Sequence, residues 1–424
     1  MVVHGRFGPA CPKVLSPMIV RKFLAWSREV SSGERALGLA ALARGYLQSG
    51  LPPDLRREAE AAMAAALDDP SPQVRRALAE VLAGEAKAPR HVVIALAHDQ
   101  PDIAALVLAQ SPLLGDGDLV DCASMGDRLA QSAIASRPHL SAAVAAVLAE
   151  KGHPDSLVVL ARNAQADIPD ASLLRMVERC GEDGALREAI LQREDLPPAV
   201  RTDLLRATAL VLADFVTECG WLTRDRADHV TRESCDRATA LLAYDAYRDE
   251  DEDGAIAMAS HLRLRGRLTP AFLLRMLLTG DRSLFTAALA DLSGLPLPRV
   301  AGFVRLHASG GFAAVYARAR MPADMLGVFR AALAAQDQCN ATATTGQGCL
   351  LRPLVSFVLR DCAQTEMRPP PQLQALLRRF EAEAARTEAR LLTSRLIRVD
   401  GQGLATEAAE NGLEGPKLDA LEVS

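Results

Sequence analysis

Residues 54–84, DLRREAEAAMAAALDDPSPQVRRALAEVLAG, decide the fold of this chain. On either side of the central Asp68-Asp69-Pro70-Ser71-Pro72, apolar residues recur at three- and four-residue spacing, which predicts two amphipathic helices. At the corner, Asp69 or Ser71 can accept hydrogen bonds from the free amides of the next helix, and proline suits a first helical position. The stretch therefore predicts a helical hairpin.

The same helix–corner–helix pattern recurs through the first half of the chain. Similar units occupy residues 89–110, 128–150, 155–180 and 185–212, and the corner prolines are Pro70, Pro101, Pro138, Pro169 and Pro197. These prolines are separated by 31, 37, 31 and 28 residues, and a two-helix unit repeated at such intervals is typical of an α-solenoid. Aromatic residues make up only 4% of the chain, so the residues that strands favour are scarce. The predicted fold class is all-α.

Two corners carry a closer resemblance. Leu67-Asp68-Asp69-Pro70 followed by Val74-Arg75 resembles a HEAT repeat, and Glu194-Asp195 with Val200-Arg201 resembles it again. In that family the arginine commonly bridges to a turn acid of a neighbouring repeat. The resemblance implies a HEAT-like α-α superhelix, or solenoid, in which Arg75 has a structural role.

A broader resemblance runs from about Phe23 to Ala335. It is carried by LDDPSPQVRRALA at 67–79, QSPLL at 110–114, IASRP at 134–138, REDLP at 193–197 and GRLT at 266–269. These segments resemble the bacterial family called domain of unknown function 2336. The resemblance implies an alphaproteobacterial origin, and it carries over no activity.

Pattern and composition divide the chain further. The acidic run at 249–254 is interpreted as a loop, Thr269-Pro270 predicts a helix N-terminus, and Gly280 predicts a helix end. Translation starting at Met18 is an alternative to Met1. The predicted parts are a disordered leader (1–17), a HEAT-like helical repeat domain (18–214), a second all-helical region of hairpins (215–337), a linker with a long amphipathic helix over 372–398 (338–399), and a disordered acidic tail (400–424).

Charge and motifs exclude several classes of protein. The net charge is −5, yet residues 1–254 carry −10 and residues 255–399 carry +10. No uninterrupted apolar run reaches the length of a transmembrane helix, and the eight cysteines form no C-x-x-C pair. The histidines never fall at metal-ligand spacing, and no nucleotide or hydrolase motif occurs. We therefore expect a cytoplasmic protein without membrane, metal or cofactor.

Arginines are the candidate binding residues. Those on or beside the second helices of the units are candidates for partner binding: Arg75, Arg76, Arg137, Arg175, Arg201 and Arg206. The alternative, which we favour, is that they bridge to turn acids of neighbouring repeats: Asp68, Asp69, Asp99 and Asp195. A second cluster, Arg263, Arg265 and Arg267, is a candidate for anion binding, because on one helix Arg263 and Arg267 would share a face. The alternative is that these arginines satisfy the carbonyls and the dipole at a helix C-terminus.

The leading functional hypothesis is a non-enzymatic scaffold or adaptor that binds another protein on the concave face of the solenoid. The alternative is a HEAT-like protein that binds DNA, possibly as a base-excision type of enzyme. An enzyme with an active site assembled between the two halves is a further alternative.

Overall fold

The computed structural model describes residues 25–27, 29–48, 50–194, 196–247, 252–339, 349–364 and 370–410. Every regular element in these ranges is a helix, which confirms the all-α prediction. The chain divides into two compact units, unit 1 (Met1–Val211) and unit 2 (Leu212–Ser424). The predicted leader lies outside the described residues.

Unit 1 begins with eleven described α-helices, followed by a twelfth that crosses into unit 2. A short 3-10 turn at Ala66–Asp68 follows the second helix. The helices are α1 (Ser32–Gln48), α2 (Pro53–Ala65), α3 (Pro72–Leu82), α4 (Arg90–Ala97), α5 (Pro101–Gln110), α6 (Asp116–Met125), α7 (Arg128–Ala135), α8 (Ala142–Lys151), α9 (Pro154–Arg162), α10 (Asp170–Cys180), α11 (Gly184–Leu191) and α12 (Pro198–Glu218).

The helices of unit 1 pack in rows. In the odd row, α1, α3, α5, α7, α9 and α11 each pack on the next; in the even row, α6 packs on α8 and α8 on α10. Helices α4, α6, α8 and α10 begin at residues 90, 116, 142 and 170, at intervals of 26, 26 and 28. One apolar core extends from Ala36 to Leu204. This is the packing of a helical repeat, and the superhelical geometry of a solenoid stays a prediction.

The repeat differs from the predicted one because the sequence pattern missed α6. Its sequence, DGDLVDCASM, is rich in Asp, Gly and Ser, which are weak helix formers. The helix forms because Leu119, Cys122 and Ala123 are buried and because the Asp118 carboxylate accepts from the Gly115 N–H at 3.0 Å. Because α6 was omitted, the predicted units pair α2 with α3 and α4 with α5 before it. After it, they pair α7 with α8, α9 with α10 and α11 with α12. The period taken from the prolines was therefore wrong.

The first corner also differs in detail. Pro72, rather than Pro70, lies in the first turn of α3, and the Ser71 side chain makes no capping hydrogen bond. The Asp69 carboxylate accepts from the Ser71 N–H at 2.9 Å, so Asp69 shapes the turn. Pro101 and Pro154 occupy the first turns of α5 and α9. Amides in a first turn have no intrahelical acceptor, so proline's missing N–H breaks no helical hydrogen bond there.

Glycines at the ends of even-row helices permit close packing. A Cβ added at Gly126 would lie 2.4 Å from the Cys122 carbonyl oxygen and 3.0 Å from the Ala130 side chain. At Gly152 it would lie 2.5 Å from the Leu148 carbonyl oxygen. The two glycines are 26 residues apart, so they mark the same point in successive repeats, where the chain passes directly to the next odd-row helix.

Unit 2 holds the end of α12 and nine further described α-helices, with a 3-10 turn at Ala323–Met325. They are α13 (Arg224–Tyr247), α14 (Glu252–Leu264), α15 (Pro270–Leu278), α16 (Ser283–Ser293), α17 (Leu297–Arg305), α18 (Gly310–Arg318), α19 (Leu326–Cys339), α20 (Arg352–Gln364) and α21 (Pro371–Glu410).

Several boundaries in unit 2 differ from the expected ones. The Thr269 hydroxyl caps α15 by accepting from the Phe272 N–H, and Gly280 has φ +93°, so these two predictions are confirmed. Helix α14 begins at Glu252, within the stretch interpreted as a loop, because acidic residues are favourable in a first helical turn. Helix α21 continues to Glu410, past the expected end at Arg398, so the first part of the tail that was expected to be disordered, residues 400–410, is helical; residues 411–424 lie outside the described residues.

Candidate partner-binding face

Arg75, on α3, bridges two repeats. Its Nε and Nη2 donate to the two carboxylate oxygens of Asp99 at 2.7 and 3.0 Å, and its Nη1 donates to the Asp69 carbonyl oxygen at 2.6 Å. Both side chains of the ion pair are 12% exposed. One repeat earlier, Arg35 makes the same two-pronged contact with the Asp69 carboxylate, which lowers the pKa of that carboxyl. Arg75 is thus engaged in a bridge between neighbouring repeats, as the favoured alternative expected.

Arg137 is also engaged, in a different way. It follows α7 and donates to the carbonyl oxygens of Leu108 and Ser111, both at 2.7 Å, at the end of α5. Asn163, after α9, donates to carbonyls at the end of α7, and Arg193, after α11, donates to carbonyls at the end of α9. Each side chain satisfies acceptors that a helix end leaves without intrahelical partners. Burial lowers the pKa of the Arg137 guanidinium.

The other candidate arginines do not share one face. Arg76 lies on α3 in the odd row and pairs with Glu80, whereas Arg175 lies on α10 in the even row and pairs with Glu150 and Glu178. Arg201 and Arg206 are exposed on α12. Asp195, the expected partner of Arg201, lies outside the described residues. The six arginines therefore do not line a common groove. Because the prediction omitted α6, the helices counted as the second of each unit are odd-numbered before α6 and even-numbered after it.

The candidate anion cluster is neutralised locally. Arg263 pairs with Asp291 at 2.5 Å, and Arg267 pairs with Asp236 at 3.3 Å. The prediction that Arg263 and Arg267 share a helix face was wrong, because α14 ends at Leu264 and Gly266, with φ +66°, reverses the chain. Arg265, between them, is partly buried. Carboxylates hold two of the three guanidinium groups that the hypothesis required for an anion.

A groove between α1 and α3 is a concave feature of unit 1. Its volume is about 960 Å³. Its apolar lining includes Leu37, Ala40, Leu47, Ala77 and Val81, and its charged lining comprises Glu34, Arg44, Arg76, Glu80 and Glu85. Leu37 is 75% exposed. The groove thus combines an apolar strip with charges of both signs, and Arg76 is the only candidate arginine among its lining residues in the described part of the chain.

A cysteine–histidine pair escaped the sequence analysis because its members are 24 residues apart. The Cys122 Sγ lies 4.0 Å from the His98 Nε2, while the His98 Nδ1 lies 2.9 Å from the Ile94 carbonyl oxygen. Burial raises the pKa of the Cys122 thiol, and Asp118 and Asp121 add to the effect. A nucleophilic cysteine requires the opposite shift. Within the described ranges, no group of three or more His, Cys, Asp or Glu side chains could hold a metal ion.

A known bacterial protein family matches more than half of this chain. Residues 103–368 match the family described as an uncharacterised protein conserved in bacteria (DUF2336). The chain belongs to the DUF2336 family. This confirms the family expected from the sequence, over a span that begins in α5 rather than near Phe23. No curated protein and no solved structure matches the chain.

In this DUF2336 protein the matched residues include α6–α20, while the groove between α1 and α3 precedes them. None of the described helices combines the length and the apolar composition needed to cross a membrane.

Unit 2 of the DUF2336 protein contains a buried ion pair that no local sequence pattern indicated. Arg275, on α15, is 4% exposed and donates through both Nη atoms to the Glu383 carboxylate on α21, at 2.7 and 2.9 Å. Its guanidinium carbon also lies 4.7 Å from the centre of the Phe380 ring. Arg237, on α13, approaches the same carboxylate at 3.0 Å. These contacts hold the N-terminal part of α21 against α13 and α15, which is a structural role.

Proposed function

We propose that this protein is a non-enzymatic scaffold that binds a segment of another protein in the groove between α1 and α3. The observation that carries the proposal is the groove itself, in which the exposed Leu37 adjoins an apolar strip with charges of both signs around it. Apolar anchors inside a polar rim are the usual anatomy of a protein interface. An amphipathic helix with aliphatic residues on one face fits this chemistry.

The charge of the groove favours a protein over a nucleic acid. Its lining carries three carboxylates, Glu34, Glu80 and Glu85, against two guanidinium groups, Arg44 and Arg76. Phosphate binding depends on an excess of positive charge along the path of the backbone. A basic surface would have required Arg75 and Arg137. Arg75 instead donates to Asp99 and Arg137 to the Leu108 carbonyl oxygen, so both are bound to neighbouring helices or turns.

The non-enzymatic part of the proposal rests on electrostatics. Cys122 and His98 bring a thiol and an imidazole together, and the raised thiol pKa of Cys122 works against a nucleophilic role. The proposal also places the scaffold in the cytoplasm, where an exposed thiol such as Cys219 stays reduced.

The test compares two exposed apolar side chains of unit 1. Tagged wild type, Leu37→Glu and Met125→Glu are recovered from native lysate with and without nuclease, and bound proteins are quantified. Met125, 91% exposed at the end of α6, is the matched control. We expect a stoichiometric protein partner that resists nuclease, is lost with Leu37→Glu and is kept with Met125→Glu. A partner retained equally by both variants contradicts the groove, and recovery that depends on nucleic acid favours the DNA-binding alternative.

A further inference from the structure

The groove between α1 and α3 runs along one side of α1. Leu37, Arg44 and Leu47 line it, and their helical spacing places them on the same side of that helix. From Ser31 to Gln48 this lining is about 26 Å long at the rise of an α-helix. Leu37 is 75% exposed and Leu47 is partly buried, so the groove has an apolar strip for a further segment of chain laid along it.

The chain enters α1 at one end of this groove. Ser31 lines the groove, and its N–H and hydroxyl donate to the Glu34 carboxylate at 3.1 and 2.8 Å. These bonds hold the start of α1 in one geometry. The Glu29 N–H donates to the Trp26 carbonyl oxygen at 3.0 Å, so the chain turns just before the groove. Five residues separate Trp26 from Ser31, which places Trp26 at most about 18 Å from the groove.

The residues before Ala25 have the composition of a groove ligand. Residues 18–24 read MIVRKFL, which is five apolar residues and two bases. Fully extended, seven residues span at most about 25 Å, which is the length of the groove, and as an α-helix they span about 10 Å. Residues 18–24 therefore match the groove in length and in apolar content, and they adjoin it in the chain.

The segment and the groove also carry opposite charge. The groove lining has three carboxylates against two guanidinium groups, a net charge of −1. Hydrogen bonds from Ser31 lower the pKa of the Glu34 carboxyl, which keeps it ionised. A positive segment beside such a groove is attracted to it. Residues 1–28 contain no Asp or Glu and five basic residues: Arg6, Lys13, Arg21, Lys22 and Arg28.

We propose that residues 18–24 of this chain occupy the groove between α1 and α3 as an intramolecular ligand. The inference rests on the proposed function and deepens it, because a protein partner reaches the groove by displacing the segment. A tethered segment has an effective concentration on the order of 1 mM at its site, so a weak fit suffices for occupancy. The partner that competes for the groove has the same chemistry, with apolar and basic residues together.

The first test is hydrogen–deuterium exchange with mass spectrometry on the full chain, which needs no partner. We expect the amides of residues 18–24 to exchange at least about tenfold more slowly in the wild type than in Leu37→Glu, which places a charge in the groove. The matched control is Met125→Glu, because Met125 is 91% exposed outside the groove, and it should exchange like the wild type. Circular dichroism verifies that both variants keep their helical content.

Photo-crosslinking of the full chain locates the segment. p-Benzoylphenylalanine in place of Phe23 should crosslink within the chain to peptides of both α1 and α3, whereas the same replacement at Phe7, outside the segment, should not. Crosslinks to another part of the chain, or between two chains, overturn the proposal. Exchange of residues 18–24 that Leu37→Glu leaves unchanged also overturns it. So does protection that arises only with vesicles of anionic lipid, which a basic amphipathic segment can bind instead.

Recovery of a partner from lysate separates this inference from the proposed function. Phe23→Glu should weaken the intramolecular contact and raise the recovery at least about threefold, because the partner binds only the open fraction of the groove. If a partner binds through Leu37 while residues 18–24 exchange as freely as in Leu37→Glu, the inference fails and the proposed function stands. If the groove protects residues 18–24 and no partner is recovered, the occupied groove is supported and the proposed function fails.

Discussion

Replacing Arg75 by alanine should weaken unit 1 far more than replacing its neighbour Arg76. Arg75 makes three hydrogen bonds, two to the Asp99 carboxylate and one to the Asp69 carbonyl, and the ion pair is 12% exposed on both sides. Removing one member of a buried ion pair destabilises a protein by about 3–5 kcal/mol. Asp99 keeps some solvent contact and also accepts from the Gln100 N–H, so we expect the lower end, about 3 kcal/mol.

Arg76 provides the control within the same helix. It is 49% exposed and pairs with Glu80 on the surface, where an ion pair contributes about 0–1 kcal/mol. For a unit of this size, 1 kcal/mol corresponds to about 2–4 °C in melting temperature, so Arg75→Ala should lower it by about 6–12 °C. Arg76→Ala should lower it by less than about 4 °C.

Urea unfolding followed by circular dichroism gives the free energies, and a double-mutant cycle isolates the pair. The cycle uses Arg75→Ala, Asp99→Ala and the double variant. Strong coupling is expected, because the two side chains satisfy each other and are in direct contact. The reasoning is refuted if Arg75→Ala and Arg76→Ala destabilise unit 1 equally, or if the effects of Arg75→Ala and Asp99→Ala simply add.

Three further changes test other parts of the structure. Glu383→Ala leaves the 4% exposed Arg275 without its carboxylate, so urea unfolding should show a loss of about 3–5 kcal/mol; a loss under about 1 kcal/mol, the value of a surface ion pair, would contradict the burial of this pair. Gly220→Ala forces an L-residue to φ +71°, which should lower stability by about 1–2 kcal/mol in a thermal melt, and an unchanged melt would show that the turn relaxes. The Asp69 carboxyl has a pKa below its usual value because Arg35 hydrogen-bonds to it, so it stabilises the fold above its unfolded pKa of about 3.9 and loses this effect as pH falls towards the lower, folded value. The wild type should therefore lose stability more steeply than Asp69→Asn between about pH 5 and pH 3, and parallel profiles of the unfolding midpoint against pH would refute this role.

The candidate site was only partly accessible from the sequence. The resemblance of the first corner to a HEAT repeat implied a bridging role for Arg75, and Arg75 does bridge to Asp99. The groove between α1 and α3 carries no local sequence signal, since its lining comes from two helices whose contact depends on packing. The pair formed by Arg275 and Glu383 joins residues 108 positions apart, and no local pattern connects them.

The sequence by itself determined the all-α fold, the family and most helix positions, because alanine-rich amphipathic periodicity and capping residues act within a few residues. Only the tertiary structure decided the register of the repeat. Helix α6 has weak local propensity and is stabilised by burial of Leu119, Cys122 and Ala123, a contribution that exists only once neighbouring helices surround it. The same reason explains the arginines: whether a guanidinium faces solvent, a carboxylate or a helix end depends on which helices lie beside it, and packing sets that arrangement.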